Sequence, residues 1–275
     1  MPFTDRLWNS TVAGAEPRWY AVSVPVLFFV TLPYAMFLLP NDYVRRLTVE
    51  NGVIELSGAL ALLAAAVMFA LAMLSSARSG KTGSRMTAVC LVGLVLFCSV
   101  AFLEEISWGQ QLLDFRTPDL VKQYNVQRET NFHNLRWFEG TDAFGQERTF
   151  WAKWVSSERL FNVFWFLCFV VVPVSAAMSQ RVRGSFARWS VPLAPVSLSS
   201  VFVLHHIEYR ILAGLVGEGA KHITEVAEFN IEMLIAFVAV AMLMELDPRR
   251  AVILAAANLP AEAAASRRFG DGALG

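Results

Sequence analysis

The run Glu104-Glu105-Ile106-Ser107-Trp108-Gly109-Gln110-Gln111 sets two adjacent carboxylates at the end of a long apolar stretch. Neighbouring acids at a membrane border repel unless a proton, a cation or a basic side chain intervenes. One of them can then ligate a metal while the other serves as general base. If a helix continues through the run, Glu104, Trp108 and Gln111 share a face and Glu105 points about 100° away.

A second polar motif follows, Asn125-Val126-Gln127-Arg128-Glu129-Thr130-Asn131-Phe132-His133-Asn134. As a helix it sets Asn125, Glu129 and His133 on one stripe; as an extended segment it alternates Asn125, Gln127, Glu129, Asn131 and His133 onto one face. Either periodicity makes a polar edge suited to bonding a substrate headgroup or to supporting ligands. Gln110, Asn131 and Asn134 are the candidate substrate donors, and Glu129, Glu55 and His206 are further candidates for substrate contact.

Two more clusters lie in apolar surroundings. His205 and Glu208 are one helical turn apart and can share a cation. Glu225, Glu228 and Glu232 recur at i, i+3 and i+7 on one face. A helix dipole accounts for acids in a first turn, but not for Glu232, two turns in beside Met233 and Leu234. The expected metal ligands are therefore His133, His205, Glu208, Glu228 and Glu232, with Glu104 or Glu105 as catalytic base. Imidazole and carboxylate donors without thiolates suit zinc, iron or manganese. His222, in the loop before the sixth span, could join this set, although a lone loop histidine is usually solvated.

The elements that position these groups follow from hydropathy. Hydrophobic residues make up 56% of 275, and mean hydropathy is +0.47, well above the range of soluble domains. Six stretches approach the length that crosses a bilayer: Trp19 to Pro40, Val53 to Leu74, Met86 to Leu103, Leu160 to Met178, Trp189 to Leu204 and Val226 to Leu246. Their continuous apolar character lacks the alternation of barrel strands, so the predicted fold is all-α, a polytopic membrane helical bundle. It is one domain over 1–250, with a helical interfacial insertion at 106–159 between the third and fourth spans. A partly disordered cytoplasmic tail is expected at 251–275.

Arg78, Lys81 and Arg85 in one short loop, and Arg181, Arg183 and Arg188 in another, predict that both loops and both termini face the cytoplasm. Nearly all the acids and imidazoles then fall at the opposite end of the spans, as one polar chamber. Formal net charge is zero, which excludes the basic footprint of a nucleic-acid binder. Cys90, Cys98 and Cys168 sit inside apolar spans and are expected to pack as small hydrophobes. The expected partners are the bilayer and a lipid or membrane-associated substrate.

The chamber predicts a metal-dependent intramembrane hydrolase. A proton- or cation-coupled transporter is the alternative, disfavoured by inner span halves that hold almost nothing ionisable. A structural subunit is the third reading.

The motifs Glu50-Asn51-Gly52-Val53-Ile54-Glu55, Glu104 to Gln110 and Asn125 to Asn134 together resemble a family of uncharacterised bacterial polytopic membrane proteins. That resemblance implies a bacterial inner membrane and weight on Glu50, Glu55, Glu104, Glu105, Glu129 and His133, without naming a reaction. Glu104-Glu105 with Phe202 to His206 is also partly similar to the glutamate-type CAAX-processing intramembrane proteases. Here Gly109 stands where that family has an arginine, and its later His-x-x-x-Asn is missing.

Overall fold

Long apolar runs in a medium without water must close their own backbone hydrogen bonds, and this chain does so as helices. The computed structural model describes residues 16–49, 52–78, 85–136, 155–216 and 220–246. The first helix, α1 (Glu16–Thr31), tightens into a 3-10 segment (Leu32–Leu38) where Pro33 enters, and a short α2 (Asn41–Leu47) follows. Next come α3 (Val53–Arg78) and α4 (Arg85–Glu105), then two short helices, α5 (Gln110–Leu113) and α6 (Asp119–Tyr124). A single rod then runs through α7 (Ser157–Phe166), a π turn (Leu167–Val171) and α8 (Val172–Met178). Pro173 has no N–H to offer its preceding turn, and the wider π turn directly before it absorbs the loss. The chain finishes with α9 (Gln180–Arg188), α10 (Val196–Val216) and α11 (Ala220–Leu246). Among the described residues there is no strand, only an isolated antiparallel bridge between Asn125 and Leu135.

α11 is the central helix. It packs along α3 on one side and α10 on the other; α4 lies against α3, and α1 against α10. Leu62, Phe69, Leu91, Leu198, Phe202, Leu234, Ile235 and Val238 fill the space between them and are essentially inaccessible. The outer faces stay apolar, with Val24, Phe28, Val89, Leu96 and Val100 exposed, as suits a hydrocarbon surround.

Five helices among the described residues are long and apolar enough to cross a membrane, one fewer than the sequence predicts. The exception is α10. At 21 residues it has the length, but His205, His206, Glu208 and Arg210 interrupt its apolar run. It also begins at Val196 rather than Trp189, since Pro192 and Pro195 exclude the preceding residues from a helix. α11 starts six residues before the expected Val226, which draws Glu225 and His222 into the helix.

The insertion holds short helices as predicted, but α4 stops at Glu105 instead of running on to Gln111. Ser107 (φ 46°), Trp108 (φ 56°) and Gly109 (φ 78°) then take left-handed backbone and turn the chain. Two of the three are not glycine, so this turn carries strain that its hydrogen bonds must offset. Glu50 and the tail at 251–275 lie outside the described residues.

Candidate functional site

The turn after α4 is held by a polar loop that sequence periodicity left open between helix and strand. It is neither. Val126 N–H donates to the Asn134 carbonyl at 2.9 Å and Arg136 N–H to the Tyr124 carbonyl at 2.8 Å, closing residues 125–135 into a ring. Asn125, 1% exposed, fills the ring. Its Nδ2 donates to the Asn131 carbonyl (2.9 Å) and Oδ1 (2.7 Å), and its own Oδ1 accepts the Gln127 (2.9 Å) and Glu129 (3.2 Å) N–H groups.

The loop is tied to the turn at several points. Gln110 Oε1 accepts the Thr130 N–H at 2.8 Å and the Thr117 hydroxyl at 3.1 Å. Ser107 Oγ donates to Glu129 Oε2 and accepts Asn131 Nδ2 at 3.1 Å. Gln110, Glu129 and Asn131, expected to contact substrate, thus each commit a polar atom to the scaffold.

Glu104 is the anchor of this scaffold. Its Oε2 accepts the Phe132 N–H at 2.5 Å and the His133 N–H at 2.9 Å, and its Oε1 accepts Trp108 Nε1–H at 2.5 Å. The same Oε2 lies 3.4 Å from His133 Nδ1. Burial disfavours the charged imidazole of His133, but the 3.4 Å contact with Glu104 and the charges of Glu105, Glu104 and Glu55 outweigh it and raise its pKa above its ordinary value. Ser157 Oγ, in the first turn of α7, donates to the His133 carbonyl at 3.1 Å and joins the loop to the next rod.

What this scaffold borders is a cavity of about 1350 Å³ between α3, α4, α7 and α11. Glu55, Glu104, Glu105, Glu225, Glu228 and Glu232 line it, with Gln127, His133 and Asn134 from the loop. The sequence-predicted Glu55, Glu104, Glu105, His133, Asn134, Glu228 and Glu232 therefore share one chamber. Glu105 and Glu228 are each within electrostatic reach of Glu232. Among the described residues Glu105, Glu228 and Glu232 have neither a hydrogen bond nor an ion pair. Gly58 of α3 faces this point: a Cβ there would run into the Glu232 carboxylate. Arg45, Glu158 and Arg159, which the sequence reading did not place in the site, also line the chamber, and so does His222. His222 is fixed by a 2.7 Å bond between its Nδ1 and the Thr48 hydroxyl, so it is not a loose solvated residue.

The α10 residues do not join them. His205 is 1% exposed and stacks on Tyr34, ring centroids 5.9 Å apart. Glu208 accepts the Thr31 hydroxyl at 3.1 Å, and His206 packs between Trp165 and Tyr209. His205 and His206 line a smaller cavity of about 40 Å³, which shares Glu158, Phe161 and Glu228 with the large one. The expected ligand set of His133, His205, Glu208, Glu228 and Glu232 is thus divided between separate places. Among the described residues no group of three or more His, Cys, Asp or Glu is arranged to hold a metal ion.

No family model, curated protein or solved structure matches the chain.

Proposed function

We propose that this protein is an intramembrane hydrolase acting on a lipid or membrane-associated substrate, with Glu105 as general base and His133 as proton donor. The observation that carries the reading is the mixed lining of the cavity. Carboxylates and the His133 imidazole line it together with Leu62, Leu96, Phe97, Val100, Ala101 and Phe161. A polar headgroup with an apolar chain matches both kinds of lining.

Of the two adjacent acids, Glu104 has its lone pairs committed to His133, Phe132 and Trp108, so it acts as a positioning residue. Glu105 faces the cavity without a bonded partner and is the one able to take a proton from water. The oxygen of that water adds to an ester or amide carbonyl. His133, oriented by Glu104 and with its protonated form favoured by the neighbouring carboxylates, then gives a proton to the departing oxygen or nitrogen as that bond breaks.

One feature favours hydrolysis over transport. The chamber ends on Leu62 and Leu96, and beyond them Phe69, Leu91, Val238 and Met242 are packed solid. A carrier needs access from both sides. In a bacterial inner membrane with the arginine-bearing loops cytoplasmic, the chamber opens outward.

The test is release of product from fluorogenic acyl-ester and acyl-amide lipids by the purified protein in nanodiscs. Glu105→Gln is expected to lower turnover by about 10²- to 10⁴-fold, the usual weight of a general base, with folding unchanged. Turnover that survives Glu105→Gln and His133→Gln together would sink the proposal.

A further inference from the structure

We infer that the site takes an amphiphile bearing a protonated primary amine, admitted sideways from the bilayer between α4 and α7. This rests on the hydrolase reading only in assuming that the chamber is the substrate site.

The first observation is charge. Seven glutamates face Arg45, Arg159, Lys221 and two histidines across one cavity, so carboxyl groups outnumber basic side chains seven to five. An anionic headgroup entering it meets repulsion at close range in a poorly screened space. A cationic one supplies the missing counter-charge.

A second, independent observation marks where that cation docks. Glu232 is 6% exposed, lines the cavity, and has no hydrogen bond or ion pair among the described residues. A buried carboxylate of this kind is costly without a partner. The backbone makes way for it, since α3 has Gly58 where any side chain would displace the Glu232 carboxylate. An ammonium is a compact point charge whose donors Glu232 and Glu228 can accept, which leaves Glu105 free.

The third observation is the side opening. Leu96 (60% exposed) and Val100 (48%) of α4, and Leu160 (49%) of α7, are on the outer surface and on the cavity wall at once. Side chains with both properties mark an edge. Beneath them α4 reaches α7 through aromatic contacts, Phe97 on Phe164 at 3.7 Å and on Phe161 at 6.1 Å between centroids. An alkyl chain lying in the portal would rest on Phe97 with its amine at the carboxylates.

The experiment measures binding without turnover, using the full chain in phosphatidylcholine nanodiscs. Probes are dodecylamine, dodecyl phosphate and spermidine, read by calorimetry against the Glu228→Gln/Glu232→Gln variant to subtract partitioning into lipid. Dodecylamine is expected to bind at least roughly tenfold tighter than either other probe, and to lose roughly tenfold in the double variant. Val100→Trp, which narrows the portal and leaves the carboxylates untouched, should slow dodecylamine association. Equal binding of dodecyl phosphate would overturn the charge selection, and equal binding of spermidine would overturn the lateral route. If the double variant fails to fold, Gly58→Ala substitutes for it, and undiminished dodecylamine binding there overturns the inference. Failure of this test leaves the hydrolase reading standing, and failure of the turnover assay leaves a positive binding result standing.

Discussion

Glu104 holds His133 twice, accepting its backbone N–H at 2.9 Å and lying 3.4 Å from its ring Nδ1. One carboxylate thereby fixes both the position of a loop residue and the orientation of its imidazole. The two contacts belong to different segments, the end of α4 and the closed loop at 125–135, so the pair is also a tertiary clasp.

The clasp predicts an uneven response to substitution. Glu104→Ala leaves the N–H groups of Phe132 and His133 and the Trp108 indole without their acceptor, at an expected cost of about 2–4 kcal/mol. Glu104→Gln keeps one acceptor oxygen and should cost less. Hydrogen exchange resolves the two: the amides of 131–134 should exchange much faster in the Ala variant, with α3 and α11 unaffected. Uniform loosening of the whole bundle would contradict a local clasp.

Stability and turnover should both depend on pH through His133. Burial opposes its charge, but the contact with Glu104 and the neighbouring acids win, so its folded pKa lies above the ordinary 6.5. A raised folded value contributes stability that is fully present below 6.5 and is lost as pH rises through the folded pKa. Loop protection should therefore be greatest on the acid side of 6.5 and decline on the alkaline side, with turnover falling over the same window. In His133→Gln the dependence should vanish. A loop that becomes better protected as pH rises would reverse the sign and defeat the assignment.

Gly58→Ala separates folding from function. In a helix interior alanine is favoured over glycine by roughly 0.5–1 kcal/mol, and the atom met by the new Cβ is the far end of a flexible side chain. Stability should stay within about 1 kcal/mol of the parent, while the displaced Glu232 carboxylate lowers activity. A thermal melt and a turnover assay on the same sample check this; unchanged turnover would show that the position of Glu232 is immaterial.

Orientation can be read with single cysteines at Val126 and Ser185, both exposed, in a background lacking Cys90, Cys98 and Cys168. Arg181, Arg183 and Arg188 on α9 predict that Ser185→Cys is labelled by an impermeant thiol reagent only in inverted vesicles. Val126→Cys should react only in right-side-out ones. The opposite pattern would move the chamber to the cytoplasmic leaflet.

How far the sequence reveals this arrangement differs from residue to residue. Glu228 and Glu232 are legible because acids at helical spacing in an apolar run have few uses other than facing a shared interior. His205 is not, since residue type declares polarity but not azimuth, and only the packing of α10 against Tyr34 turns that ring away from the chamber. The left-handed turn is half legible: Gly109 permits it, but nothing intrinsic to Ser107 or Trp108 announces it, and bonds from Glu104, Glu129 and Asn131 supply the reason. Those bonds span up to 24 residues, beyond any local periodicity. Asn125 illustrates the same limit, since its role is to fill a ring that exists only once both ends of the loop meet.

Glu228 belongs to both cavities, forming part of the wall that the large chamber and the small His205–His206 space have in common. A partition made from an ionisable side chain is not inert: whatever occupies one compartment alters the field and the shape that the other presents. Thermodynamic reciprocity then fixes the magnitude, since the free energy by which a guest in the chamber shifts the protons of the small space must equal the shift those protons impose on the guest. The small space is in this sense a second port to the same element, able to report on the chamber without opening into it.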